Sequence, residues 1–116
     1  MKAVYLLSAA LVSWGSLAMS AIAAPEIASG DGIVNAEISD CLARTDIFIN
    51  TLEVSVESGQ IDRTGYFDDG SFRILCYPNP YDQGGQSLVV VFAAHETDFD
   101  VANTFVQIAI SQIADQ

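Results

Sequence analysis

The sequence predicts a small α+β domain: helix, strand, strand, strand, helix, with a three-stranded antiparallel sheet and one helix-to-strand disulfide. Three observations predict it. Apolar residues at 34, 38, 41, 42, 48, 49, 52 and 56 trace one face of a helix. Asp69-Gly70 separates two short strand-like runs. The apolar run Leu88 to Ala94 is followed by a second amphipathic stretch.

In chain order, residues 1–23 have the pattern of a cleaved signal peptide. Lys2 precedes an apolar stretch from Val4 to Val12, and Ala21 and Ala23 are the small residues that a signal peptidase reads. With the softer segment Ser13–Ser20 that follows, the stretch is too short and too rich in Ser and Gly for a spanning helix. Cleavage after Ala23 shortens the 116 residues to 93, enough for one small domain. Residues 24–33 are expected to be a flexible lead-in, and residues 34–116 the single α+β domain.

The first helix is expected over about 34–57, with Gly59 as its terminator. Glu37, Asp40, Arg44 and Thr51 fall on its wet face, where Asp40 and Arg44 are spaced for an i,i+4 ion pair. Leu52, Val54 and Val56 also alternate with polar residues, a strand-like feature that competes with the helix at its end. The hairpin about Asp69-Gly70 joins Thr64–Asp68 to Ser71–Tyr77. It places Phe72, Ile74 and Cys76 on one face and Arg73, Leu75 and Tyr77 on the other. Residues 78–87 are a Pro/Gly-rich loop. Leu88 to Ala94 is expected to be a strand buried on both faces. Thr97 caps the last helix, whose apolar face is Ala102, Phe105, Val106, Ala109 and Ile113.

Cys41 and Cys76 are the only cysteines. Both fall on core-facing positions of their elements, and an even count in an exported chain indicates a disulfide. Closing that loop contributes roughly 3–4 kcal/mol in the chain-entropy picture. No Cys-x-x-Cys spacing suggests a redox pair, and the chain has a single histidine with which to build a soft-metal site.

Charge narrows the function classes. The chain has 15 acidic residues against 4 Lys plus Arg, a net charge of −11. Loss of Lys2 with the signal segment makes it −12 and leaves arginine as the only strong cation. Nucleic acid and anionic membranes both require clustered cations and are excluded as partners. Schiff-base lysine chemistry and Walker-type phosphate loops need a lysine. The acids do not follow a calcium-loop spacing, so neither a metal site nor a cofactor is expected.

His95 is the only imidazole available for catalysis, and a hydrolase would need it beside a hydroxyl such as Ser71 or Ser87. No nucleophile elbow is present, so a polar residue at a surfacing strand end is the better explanation of it. Tyr77, Tyr81 and Asp82 lie in or beside the Pro/Gly loop and, with His95, are the candidate partner contacts. The function expected is a non-enzymatic, exported, acidic module, periplasmic or extracellular. It would bind a basic protein or peptide, or itself as a homo-oligomer. The alternatives are a small secreted hydrolase using His95, and an acidic envelope protein whose charge serves solubility. If both helices cover one sheet face, the other face, with Arg73, Leu75, Tyr77 and alternate residues of Leu88–Ala94, is too apolar to stay wet and becomes a partner or dimer surface.

Overall fold

The structure, a computed structural model, describes residues 24–82 and 84–115. The expected signal segment, residues 1–23, lies outside the described residues. The elements run β1 (Glu26–Val34), α1 (Ile38–Asn50), β2 (Ser55–Ser58), β3 (Asp62–Phe67), β4 (Gly70–Pro78), β5 (Ser87–His95) and α2 (Phe99–Ile113). The strands form one antiparallel sheet in the order β1-β5-β4-β3-β2. Strands β2 to β5 are a meander, and β1 returns to pair along its whole length with β5.

Both helices lie on the same face of the sheet. α2 covers β1 and β5, and α1 covers β4 and packs beside α2. The inward residues of the strands are therefore the buried ones: Ala28 and Val34 of β1, Phe72, Ile74 and Cys76 of β4, and Val89, Val91 and Ala93 of β5. They meet Cys41, Phe48 and Ile49 of α1 and Ala102, Val106, Ala109 and Ile113 of α2. The Cys41–Cys76 disulfide is formed, with both cysteines fully buried and their Cα atoms 6.1 Å apart. Phe48, Phe67 and Phe72 surround Phe105, each with its ring centroid within 6 Å.

The sheet has five strands rather than three, for two local reasons. Most of the stretch expected as a lead-in, residues 24–33, is strand β1. Its Gly30 and Gly32 face inward beneath α2, where a Cβ on Gly32 would come within 2.7 Å of Ala114 Cβ. Small residues at alternate positions let the helix approach, and they made the segment look like a linker. The second extra strand is β2. The first helix ends at Asn50 instead of continuing to residue 57, and Glu53 takes a positive φ of 54° as the chain turns. The strand-like alternation from Leu52 to Val56 therefore wins over the helical one. Gly59 sits in the β2–β3 turn, where its N–H donates to the Asp62 carbonyl.

Three smaller expectations are also corrected. β5 is buried on one face only, with Phe92 44% exposed on the other. The cap of α2 is Asp98 rather than Thr97; its carboxylate accepts from the Asp100 N–H at 2.9 Å. Arg44 pairs with Asp115 at 3.2 Å and not with Asp40, because its guanidinium also donates to the Ile113 carbonyl at the end of α2.

Candidate functional site

With both helices on one side, the opposite face of the sheet is open. The strand registers set its rows. Ile27, Ala94, Ser71 and Tyr66 form one row; Ser29, Phe92, Arg73 and Thr64 the next. Then come Asp31, Val90, Leu75 and Asp62, and last Ile33, Leu88 and Tyr77. Ile27, Ile33, Tyr66, Tyr77 and Phe92 are all exposed, and Leu75, Leu88, Val90 and Ala94 are half-buried between them. A shallow groove of about 410 Å³ runs over this face beside Ile27, Tyr66, Arg73 and Phe92.

Charge on the open face is sparse and partly compensated. Arg73 donates to Asp62 through Nε at 2.8 Å and Nη2 at 2.5 Å. Glu57 accepts from the Tyr66 hydroxyl at 2.5 Å, and this bond, together with the carboxylate's charge, raises the phenol above its ordinary pKa. Asp31, on β1, and Glu57 are acids of this face with no cationic partner among the described residues. The other two arginines tie the structure together elsewhere. Arg44 reaches Asp115, and Arg63 spans from β3 to Asp46 of α1 at 2.7 Å. The remaining acids lie on helices, turns and strand ends and form the general acidic coat.

The four expected contact residues do not form one patch. Tyr77 belongs to the open face, opposite Leu88. Tyr81 is 95% exposed in the loop between β4 and β5. That loop is stiffened by Asn79, which accepts from the Tyr81 N–H, and by Asp82, which accepts from the Gly84 N–H. Asp82 borders a groove of about 480 Å³ between this loop and the start of α1. His95 is at the far end of β5, seven residues beyond Leu88, about 23 Å at the usual strand rise.

His95 performs a structural task there. Its Nδ1 accepts from the N–H groups of Thr97 at 3.2 Å and Asp98 at 2.9 Å, at the start of α2. Its Nε2 donates to Asp69 at 3.1 Å. These bonds specify the tautomer with the proton on Nε2 and occupy both nitrogens. A cavity of about 180 Å³ adjoins His95 and is lined mainly by Phe67, Ala93, Val101 and Phe105. Ser71 also borders it, but no hydrogen bond joins Ser71 to His95 among the described residues. Ser87, the other candidate hydroxyl, is fully buried and donates to the Ala36 carbonyl at 2.8 Å, at the opposite end of the strand.

No family model matches the chain, and no curated protein or solved structure is significantly similar to it. The site therefore rests on its own geometry. Sequence alone does not point to Ile27 and Ile33, whose strand β1 reads as a linker, or to Tyr66, whose face in β3 it leaves unassigned. The available signal was the regular alternation of Ala28, Gly30, Gly32 and Val34 with larger or polar residues.

Proposed function

We propose that this chain is an exported, non-enzymatic module that acts by association through the open face of its sheet. The observation that carries the reading is the clustering of exposed Ile27, Ile33, Tyr66, Tyr77 and Phe92 on one face, with no element of the chain over them among the described residues. Isolated apolar residues on a surface need no explanation, but a contiguous patch across four strands does. Aromatic side chains are also the residue type that contributes most per contact in interfaces. Export, to the periplasm or the medium, is supported by the pattern of residues 1–23 and by the buried disulfide. No helix among the described residues is long and apolar enough to cross a membrane.

The test compares the processed, oxidised protein with a Phe92→Glu variant, both immobilised and exposed to the same envelope or medium extract, and both measured for self-association. The reading expects association that the variant loses while its circular dichroism is unchanged. Equal behaviour of the two proteins would refute it. A basic protein or peptide as partner has its own support: each of the three arginines is paired with an acid, which leaves most of the acidic coat uncompensated. Such a partner would bind the helices and turns, and its affinity would fall with salt.

A further inference from the structure

We propose that the occupant of the open face is a second copy of this chain, packed sheet to sheet as a two-fold symmetric dimer. This rests on the reading of the open face as the associating surface, and it adds the partner.

The uncharged centre of this face favours a copy over a cationic protein there. The stripe of Leu88, Val90 and Phe92 on β5 with Leu75 and Tyr77 on β4 contains no charged side chain. The charges of the face flank it: Arg73 is balanced by Asp62, Glu57 is engaged by the Tyr66 hydroxyl, and Asp31 borders Val90 from β1. A cationic partner would find most of its acids on the helices, turns and strand ends instead. A second copy meets an uncharged stripe with an uncharged stripe, the self-complementary arrangement that a two-fold axis requires.

Size is consistent with a dimer. β1, β5 and β4 have nine residues each and β3 has six. At ~4.8 Å between strands and ~3.3 Å per residue, four strands give a footprint of about 520 Å² per copy. Two copies bury about 1,050 Å² in total, just above the ~1,000 Å² that a biological interface needs and in the range of weak, reversible association. Antiparallel sheets pack face to face in this way, with side chains interdigitating across ~10 Å, and the product would have four layers, helices outside and sheets within. An interface this small belongs to the weak, reversible class, so the dimer should dissociate on dilution.

The acidic coat sets the sign of the salt dependence. Each processed copy has a net charge of −12, so the copies repel one another at long range. Added salt screens that repulsion and strengthens the dimer. A cationic partner shows the opposite trend.

Sedimentation equilibrium of the processed, oxidised protein tests the proposal. The expected result is a dimer at ~100 µM that dissociates on dilution, with a dissociation constant that falls as salt rises from ~50 to ~500 mM. Phe92→Glu and Leu75→Glu should each raise that constant at least about tenfold. Tyr81→Glu, on the exposed loop, should leave it unchanged. Should either charged variant fail to fold, concentration-dependent methyl shifts in the native protein serve instead, expected at Leu75, Leu88 and Val90 and absent at Val106. A monomer at every concentration and salt overturns the proposal, and so does a dimer that survives both variants. A monomeric native protein that binds another molecule through Phe92 removes the second copy but preserves the associating face. A monomer whose Phe92→Glu variant behaves identically towards every ligand removes both.

Discussion

Gly32 of β1 lies directly beneath Ala114, the residue that ends α2: a Cβ built on Gly32 would stand 2.7 Å from the Ala114 Cβ. Ordinary carbon–carbon contact is about 3.5–4.0 Å. Ala114 has no rotamer with which to withdraw, so the helix end itself must move. Gly→Ala in a strand ordinarily stabilises by about 0.4–1 kcal/mol through the unfolded chain. Here the overpacking outweighs that gain. Gly32→Ala should lose about 1–3 kcal/mol in urea unfolding, whereas Ser29→Ala, on the open face of the same strand, should be nearly neutral. A Gly32→Ala protein as stable as the parent would show that α2 is not held this close.

The same glycines show where the sequence was legible and where it was not. The face of α2, the strand pairing about Asp69-Gly70 and the inward direction of both cysteines follow from local periodicity, and the structure has them all. β1 does not follow from it, because Ser-Gly-Asp-Gly has the composition of a linker. What makes it a strand is tertiary: nine paired positions with β5 and a helix that needs small residues beneath it. The Asp69-Gly70 signal was right for a reason other than the expected one. Neither Asp68 nor Asp69 has a positive φ. Gly70 is required because a Cβ there would meet the Ala94 carbonyl oxygen of β5 at close range. The open face was legible only as a condition on helix placement, which side-chain patterns do not determine.

The disulfide joins the middle of the core rather than its rim. Cys41 and Cys76 are both fully buried, and Thr45, also buried, donates to the Cys41 carbonyl at 2.8 Å beside them. Replacing both cysteines with alanine should cost about 2–5 kcal/mol in urea unfolding, with the larger part of the loss arising from the freed unfolded chain. Because no sulfur reaches solvent, a small-molecule reductant should cleave the bond only as fast as the domain opens. Reduction at the unfolding-limited rate, independent of reductant concentration once that is high, is the kinetic check. Rapid native-state reduction would contradict the burial.

His95 joins the β3–β4 turn to the first turn of α2. Its loss leaves the Thr97 and Asp98 N–H groups without their acceptor, while Asp98 continues to cap Asp100. His95→Ala should therefore cost about 1–2 kcal/mol, the scale of a lost helix cap. Amide exchange should rise first at the start of α2. The association described above should persist in this variant, since His95 points to the helix side of the sheet. Loss of a hydrolytic activity in His95→Ala, with stability unchanged, would instead restore the catalytic reading.

Asp115 closes the far end of the domain. Its carboxylate accepts from the Asn35 N–H at 2.5 Å and from Arg44 at 3.2 Å, and its own N–H donates to the Ile33 carbonyl. The Asn35 bond is the main cause that holds this carboxyl below its ordinary pKa. Partial desolvation opposes it and Arg44 reinforces it. A carboxyl whose folded value lies below its unfolded value stabilises the fold at pH above the unfolded value, ~4 for Asp. That contribution disappears as pH falls through the folded value. Asp115→Asn removes the titration and keeps an oxygen for the Asn35 N–H. Parent and variant should therefore differ most near neutral pH, the parent melting higher, and their melting temperatures should converge as pH drops below ~4. The comparison cancels the other acids, whose protonation relieves repulsion equally in both proteins. A difference that stays constant from neutral pH down through this window would mean that the Asp115 charge has no role at the joint.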